Sequence, residues 1–307
     1  MDYIREHCGE ELKLEKIAQV ACLSKYHFHR IFRQTSGETV NGFLRRVRLE
    51  NAVARLTCDE DVPVTTIALE CGFSTSQSFA KAFKRKFGFS PTAIRERMGW
   101  QTARNATADL KSFSETIERD AVGQPALSAL SSTLKNIIEQ GTHPPLNPRI
   151  VEMPSFRVAY IRTIGLDLVS IDKAYDDLFR WGMASGLINE RSAIMIAVWD
   201  TFPPIMSREK RVYDVCLTVC EDVEIDGRVN SRILPGGKFA IHRCEILNSR
   251  VEEEWMRLVL EWLPTSKYDR ALGPSYTVVN RKTYVISDST KHPAERMAAF
   301  DLYLPIK

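Results

Sequence analysis

The sequence of 307 residues contains no long apolar run, since no stretch approaches the roughly 18 residues that a membrane-spanning helix requires. Its first residues are amphipathic and charged, so we expect no signal peptide. The seven cysteines are odd in number and scattered, which favours reduced thiols over a disulfide framework. These absences together predict a cytoplasmic protein with no membrane partner.

Signatures of common enzymes and metal sites are also missing. The sequence contains no Walker loop, no HExxH and no GxSxG motif. Cys216 and Cys220 share one face of a predicted strand, but no CxxC pair accompanies them to complete a zinc site. The sequence therefore predicts no catalytic residue, no metal site and no cofactor.

Positive charge is concentrated in one part of the chain. A chain of this length suggests about two domains, and its net charge is only +3. Residues 1–107, however, carry 17 Lys and Arg against 12 Asp and Glu, whereas the remainder carries 25 against 27. A basic excess of this kind is what a phosphate-facing domain requires.

One sequence pattern occurs twice within the basic residues 1–107, at residues 17–37 and again at residues 67–88. The offset between the copies is 50 residues and grows to 51 after a one-residue insertion. Each copy predicts a short helix, a tight turn and a second helix. The turn falls at Cys22 or Gly72, and glycine adopts positive φ without steric cost. The serines expected to cap the second helices are Ser24 and Ser74.

The second helix of each copy has two distinct faces. Apolar residues at i, i+3 and i+4 predict a buried stripe, made of Phe28, Ile31 and Phe32, then of Phe79, Ala82 and Phe83. The opposite face offers donors and cations, namely Tyr26, His29, Arg30 and Arg33, then Gln77, Ala80, Lys81 and Lys84. This is the helix-turn-helix arrangement, whose second helix enters a DNA major groove. Two matching stripes disfavour the alternative of ordinary solvated helices.

A long helix is predicted between the two copies, from Thr39 to Cys58. About 20 helical residues span ~30 Å, which is the order of the ~34 Å that separates two reading helices on one face of DNA. Residues 91–97 predict a closing helix. The arginines of the long helix that we expect to be exposed are Arg45, Arg46, Arg48 and Arg55.

Four segments, 23–32, 72–74, 87–88 and 90–91, carry a specific resemblance. Through them residues 1–98 resemble the DNA-binding domain of AraC/XylS-family transcriptional regulators of the Rob-like type. The resemblance implies an all-α domain with two helix-turn-helix motifs. The base-reading positions that it implies are Tyr26, His29 and Arg30, with Lys25 beside them, then Ser76, Gln77, Ala80 and Lys81.

The chemistry of these side chains agrees with such roles. Arg30 can pair bidentately with guanine, and Gln77 with adenine. Ala80 offers only a methyl contact, so we expect the second helix to be the weaker reader. Two alternatives stay open: Lys84 as a solvated side chain and His29 as a neutral surface group. The cations expected at phosphates, which position without specifying, are Lys25, Arg33, Lys84 and Arg85.

A change of pattern separates the rest of the chain. Residues 99–147 predict a linker, in which helical spacing over 126–140 predicts a packed helix. Residues 148–307 alternate with period two and predict a duplicated α+β domain, an antiparallel sheet with helices on one face. Strands are expected at 157–162, 193–199, 213–220, 236–243, 276–280 and 301–306, and helices at 168–184 and 250–263.

The segments 213–216, 235–240, 262–264 and 301–306 carry a second resemblance, to the GyrI-like effector domain. This resemblance implies a small-molecule effector, often a hydrophobic cation, in an aromatic-lined cleft, and aromatic faces attract cations. Plain core packing is the alternative for each candidate. The candidate effector-binding residues are Tyr160, Trp181, Trp199, Asp200, Phe202, Tyr276 and Tyr303.

One position departs from the GyrI-like pattern. Many family members carry a glutamate in the strand here written Gly273–Thr277, and Thr277 stands at the equivalent position. Residues 274–280 contain no acid, which leaves Asp200 or Glu254 as substitutes. A neutral or an anionic effector is therefore as plausible as a cation.

The predicted function is transcription regulation, with activation favoured over repression. Two helices would read DNA, and a small effector would regulate this activity. The expected partners are double-stranded promoter DNA, RNA polymerase and the effector, and an asymmetric two-motif reader predicts a monomer. Two other classes stay open. A hydrolase of small reactive compounds would need a poised carboxylate, and the missing acid at Thr277 argues against it. A protein that only sequesters a toxic compound is disfavoured by the reading stripes.

Overall fold

A computed structural model divides the chain into two compact units, Met1–Gly99 and Trp100–Lys307. Each unit has its own hydrophobic core. The residues that the structure describes are 2–36, 38–59, 61–98, 114–115, 117–119, 125–139, 143–165, 167–187, 195–199, 211–225, 229–279 and 291–307.

The first unit is built from helices around a central one. Helix α4 packs against α1, α3, α5 and α7, while α2 packs on α3 and α5 on α6. These last two pairs are the predicted helix-turn-helix motifs, which are confirmed. The bounds are α1 (Asp2–Glu6), α2 (Leu14–Val20), α3 (Lys25–Ser36), α4 (Val40–Cys58), α5 (Val64–Glu70), α6 (Ser76–Phe87) and α7 (Pro91–Met98).

Each helix-turn-helix turn has one residue in the left-handed region. Cys22 has φ 54° and Gly72 has φ 84°. A Cβ at Gly72 would lie 2.7 Å from the carbonyl oxygen of Cys8. The second turn therefore requires glycine for space as well as for its backbone angle.

The two second helices are capped by different means. Ser24 precedes α3 as predicted, and its Oγ accepts from the backbone N–H of His27 at 3.4 Å. The prediction of Ser74 as the second cap is wrong, because the Oγ1 of Thr75 accepts from the N–H of Ser78 at 3.1 Å. The inserted residue lengthens the second turn and moves the cap by one position.

Phenylalanine rings fill the space beneath the two motifs. Phe28 and Phe32 are buried, as are Phe79 and Phe83, and within each pair the ring centroids lie 5.5 Å and 5.3 Å apart. The predicted apolar stripes are confirmed except at Ile31, which is 38% exposed. The alanine at the equivalent position of α6 is buried. A longer side chain at this edge of the helix projects past the core.

The arginines of α4 were expected to be exposed, and only Arg45 is. The expectation was wrong for the other three because each has partners within the first unit. Arg46 contacts Glu38 at 2.6 Å and Glu50 at 3.0 Å, Arg48 donates to the carbonyl oxygens of Cys8 and Glu10, each at 2.7 Å, and Arg55 pairs with Glu70 and Asp59.

The second unit contains one antiparallel sheet of eight strands in the order β1-β6-β8-β7-β3-β4-β2-β5. The helix expected over 126–140 is present as α8 (Pro125–Glu139). The strands are β1 (Arg149–Met153), β2 (Phe156–Ile164), β3 (Met195–Trp199), β4 (Val212–Thr218), β5 (Asn230–Leu234), β6 (Gly237–Leu247), β7 (Ser275–Val279) and β8 (Met297–Pro305).

The sheet confirms the predicted duplication and shows, in addition, that one strand of each half pairs with a strand of the other half. Two strands, a helix and two strands occur twice, with α9 (Leu168–Ala184) in the first half and α10 (Val251–Arg257) in the second. Strands β1 to β4 of the first half correspond to β5 to β8 of the second half. Exchanging each strand with its counterpart gives the same strand order read in reverse, so the halves are related by a pseudo-two-fold axis between β3 and β7. Strands β1 and β5 were not predicted. Each pairs with the other half, β1 with β6 and β5 with β2.

Two local features of this unit differ from the predicted elements. The helix expected over 250–263 begins as α10 but continues through a π-helical segment, Leu258–Trp262. The strand expected to start at residue 193 begins at Met195 among the described residues. Helix α9 has the predicted bounds, and the Oδ2 of Asp167 caps it by accepting from the N–H of Ser170 at 3.1 Å.

Candidate nucleic-acid interface and effector cavity

The exposed face of α3 carries the side chains predicted to read bases. Tyr26 is 82% exposed, Arg30 and Arg33 are exposed, and His29 is half-buried. None of the four makes a hydrogen bond or ion pair within the described part of the chain. Lys25 differs, since its ammonium binds the carboxylate of Glu15, and this contact lowers the pKa of that carboxyl. The face thus presents to solvent donors that have no partner among the described residues.

The exposed face of α6 is simpler. Gln77, Lys81 and Lys84 are exposed, whereas Ser76 and Ala80 are half-buried. The three exposed side chains form no hydrogen bond or ion pair among the residues that the structure describes. The last turn of α6 adds further cations. The predicted positions are therefore brought together on one helix face, as they are on α3.

A groove of about 480 Å³ lies between α4 and α6 and is called here the basic groove. Arg45 lines it from α4, and Lys81 and Arg85 line it from α6, with the hydroxyls of Ser74 and Ser78 between them. No contact was predicted from the sequence for Arg45 or Ser78. Only the folded arrangement of α4 and α6 around the groove places them beside the lysine, and residue spacing does not reveal that arrangement.

A cavity of about 230 Å³ lies between the sheet and its helices in the second unit, and is called here the helix-side cavity. Helix α9, the segment 248–252 and strands β3, β4, β7 and β8 surround it. The lining residues are Leu168, Ile171, Tyr175, Trp199, Tyr213, Asn248, Ser249, Val251, Glu252, Thr277, Val279, Ala294 and Phe300.

The polar groups of the helix-side cavity are largely occupied. The carboxylate of Glu252 accepts from the guanidinium of Arg211 at 2.7 Å, and both side chains are mostly buried. The hydroxyl of Thr277 accepts from the indole N–H of Trp255 at 3.1 Å. Burial raises the pKa of Tyr213, so its phenol stays neutral at physiological pH. The wall is thus aromatic and carries one compensated ion pair.

The structure separates the predicted effector residues. Trp199 lines the helix-side cavity, with its ring edge-on to Tyr213 at 5.2 Å between centroids. Trp181 lies on α9 but outside the cavity wall. Asp200 and Phe202 lie outside the described residues. Tyr160, Tyr276 and Tyr303 lie on the other face of the sheet.

Alternation along the strands explains this separation. Thr277 and Val279 point toward the helices, so Tyr276, the residue before Thr277, points away. On that far face the rings of Tyr276 and Tyr303 stack with centroids 4.6 Å apart. Glu254 is not among the residues that line the cavity, and its carboxylate binds Arg257 at 2.9 Å. The sequence alternation was readable, but it did not reveal which face the helices cover.

Two classes of site are not found among the described residues. No group of three or more His, Cys, Asp or Glu side chains comes together there in a way that could hold a metal ion. No helix in the same residues is both long and apolar enough to cross a membrane.

Comparison with known families agrees with this two-unit geometry. Residues 146–307 match the family described as GyrI-like small molecule binding domain. This match covers more than half of the chain. The chain belongs to the GyrI-like family. Residues 17–97 match the family described as helix-turn-helix domain, so an AraC-type helix-turn-helix unit precedes the GyrI-like domain.

Two curated proteins are similar to this chain over 96 and 100 residues. The chain is 38% identical over 96 residues to the HTH-type transcriptional activator RhaS of Enterobacter sp. (strain 638), covering 31% of this chain and 34% of that protein. It is 34% identical over 100 residues to the transcriptional regulator Rob of Salmonella typhimurium, covering 32% and 34%. The chain thus spans about a third of the length of the curated relatives it matches.

Among solved structures, the DNA-binding domain of AdpA in complex with a target DNA is 31% identical. That match covers 31% of this chain and 84% of the other, with a TM-score of 0.29.

Proposed function

We propose that this protein is a sequence-specific, DNA-binding transcription regulator whose second unit binds a small-molecule effector. One observation carries the proposal: two capped helices each expose a face of donors and cations that have no partner among the described residues. Unpaired cations contrast with the arginines of α4, three of which are occupied by partners. A surface kept free in this way suits an anionic partner.

The two helices would divide the work of recognition. Arg30 of α3 would pair with guanine, and Gln77 of α6 with adenine. Arg33 and Lys84 would bind phosphates, which set the register without reading sequence. The 19 residues of α4 span ~28 Å, which is comparable to the ~34 Å between successive major grooves on one face of DNA.

The wider role follows from these contacts and from the relatives. RhaS is named a transcriptional activator, and we extend activation, with RNA polymerase as a partner, to this chain. A reader with two different motifs needs no second subunit on DNA, so we propose a monomer in the cytoplasm. No catalytic role is proposed, because the GyrI-like cavity is assigned to binding.

Regulation would require a difference in affinity. An effector shifts the protein between two arrangements only if it binds one of them more tightly. The helix-side cavity is the proposed binding site, and Trp199, Thr277 and Glu252 are its principal side chains.

Selection from a random duplex library, followed by fluorescence anisotropy on the enriched sequence, tests the proposal. We expect a single asymmetric motif, with an affinity that changes when a ligand of the second unit is added. Failure to enrich any sequence would contradict DNA recognition. An affinity for DNA that stays constant with every bound compound would contradict regulation by an effector.

A further inference from the structure

The helix-side cavity contains one carboxylate among its described lining residues, that of Glu252. This carboxylate is already neutralised, because it accepts from the guanidinium of Arg211 at 2.7 Å. The arginine is itself buried. A cationic ligand would have to compete with a buried arginine for the carboxylate, and an anionic ligand would have to compete with the carboxylate for the arginine. Either exchange would leave a charge buried without its partner, which is costly.

The position at the centre of the wall is also neutral. Thr277 lies on β7 opposite Ala197 of β3, close to the pseudo-two-fold axis. Its hydroxyl is engaged by the indole N–H of Trp255 at 3.1 Å. The phenol of Tyr213 is buried as well. The cavity therefore offers apolar surface and aromatic rings but no net charge.

Two polar atoms beside this wall have no hydrogen-bond partner among the described residues. The indole nitrogen of Trp199 is buried and has no acceptor among the described residues. The hydroxyl of Ser275 is buried and likewise unpaired within the same residues. The two residues face each other across the β3–β7 pair, on the face that lines the cavity. Buried donors without partners are rare in proteins and costly, so this pair marks a place where a ligand would complete the hydrogen bonding.

We infer that the helix-side cavity binds a neutral, largely aromatic compound that carries one hydrogen-bond acceptor, which receives the indole N–H of Trp199. The inference rests on the proposed effector role of this cavity. The volume of about 230 Å³ is somewhat below the range of ~300–1,000 Å³ usual for ligand sites. A two-ring compound is therefore the appropriate size.

Calorimetric titration of the full chain with four naphthalenes tests the inference. The probes are 2-acetonaphthone, which is neutral and has an acceptor, 2-ethylnaphthalene, which lacks the acceptor, 2-naphthoate and naphthalene-2-carboxamidinium. We expect 2-acetonaphthone to bind at least tenfold more tightly than either charged probe. Tightest binding by the amidinium or the naphthoate would overturn the inference, and so would the absence of binding by all four.

A substitution at Trp199 isolates the hydrogen bond. Trp199→Phe keeps an aromatic ring and removes the N–H, so the preference for 2-acetonaphthone over 2-ethylnaphthalene should fall about five- to tenfold, as one hydrogen bond predicts. Trp181→Phe, on the same unit but outside the cavity wall, is the matched control and should leave that preference unchanged. An unchanged preference in Trp199→Phe would overturn the assigned donor.

A second variant tests the neutrality of the wall without touching Trp199. Thr277→Glu introduces a carboxylate at the centre of the cavity, so the amidinium should become the tightest probe. If the amidinium stays the weakest in a variant that still unfolds cooperatively, the neutral wall does not determine the ligand class. Anisotropy with promoter DNA separates this inference from the proposed function, because loss of DNA binding contradicts the regulator and leaves the probe preferences standing.

Discussion

Helix α3 presents a tyrosine, a histidine and two arginines on its exposed face, whereas α6 presents a glutamine, an alanine and two lysines at the equivalent positions. The two helices arise from the same repeated unit and rest on the same type of phenylalanine core. Arginine binds base edges bidentately, while lysine acts on phosphate as a point charge. A duplicated scaffold has thus kept its packing while the side chains of its two exposed faces diverged. Under the proposed function, the face of α3 mainly reads bases and that of α6 mainly anchors phosphates.

The largest expected difference between the two motifs is the loss of stability when a core phenylalanine is replaced by alanine. Phe79 has no exposed surface, whereas Phe28 lies at the margin of burial with 9% exposed. Phe79→Ala should lower the free energy of unfolding by ~3–5 kcal/mol, and Phe28→Ala should cost less. Urea denaturation of both variants, followed by circular dichroism, measures the difference. A larger loss in Phe28→Ala would show that the first motif, and not the second, holds the unit together.

Substitutions in the two turns should change the free energy of unfolding in opposite directions. Gly72→Ala combines positive φ with a Cβ 2.7 Å from a carbonyl oxygen, so we expect a loss of ~1–3 kcal/mol in the free energy of unfolding. Cys22→Gly relieves a non-glycine residue at φ 54° and should stabilise by up to ~1 kcal/mol. Thermal denaturation in reducing buffer compares the two variants. Destabilisation by Cys22→Gly would indicate that its side chain makes a contact worth more than the backbone strain.

The division between reading and anchoring is tested by one substitution on each helix. Arg30→Ala should lose ~1–3 kcal/mol of binding free energy and relax the preference at one base position. Lys84→Ala should weaken binding to all sequences alike. It should also reduce the slope of log affinity against log salt concentration by about one, because about one counterion fewer is released. Anisotropy against single-base variants of the selected site, at several salt concentrations, distinguishes these results. An unchanged base preference in Arg30→Ala would remove that arginine from the reading set.

The smallest expected difference in stability comes from the residues that cap α3 and α6. Thr75→Ala removes an acceptor 3.1 Å from an amide and should cost ~1 kcal/mol in the free energy of unfolding. Ser24→Ala removes a longer contact of 3.4 Å and should cost less. Ser74→Ala is the control, since Ser74 does not cap α6. A larger effect of Ser74→Ala than of Thr75→Ala would reverse the assignment of the cap.

Local pattern was sufficient for most elements of the first unit. The i, i+3, i+4 stripes predicted which rings of α3 and α6 are buried, because a helix that packs on a core must turn one face toward it. One error arose because a side chain's partners lie far along the chain. Arg48 was expected to be exposed, yet its guanidinium binds the carbonyl oxygens of Cys8 and Glu10. Nothing in the local spacing of α4 indicates that contact.

The site in the second unit was less accessible to sequence reasoning. Trp199 was predicted among the wall residues and lines the helix-side cavity, but Glu252 and Tyr213 were not named. Aromatic character alone did not separate Trp199 from Tyr276, because both are aromatic residues on neighbouring strands of the same sheet. The distinction depends on which sheet face the helices cover, and that is a property of the assembled halves.

The sequence by itself determined the two helix-turn-helix motifs, the long helix between them and the duplicated order of strands and helices, since each depends on residues close together in the chain. Only the tertiary structure decided that β1 and β5 exchange between halves, that Arg211 neutralises Glu252, and that Tyr276 faces away from the cavity. These features join residues tens of positions apart. Their energies depend on packing and on burial of charge, which exist only after the chain has folded.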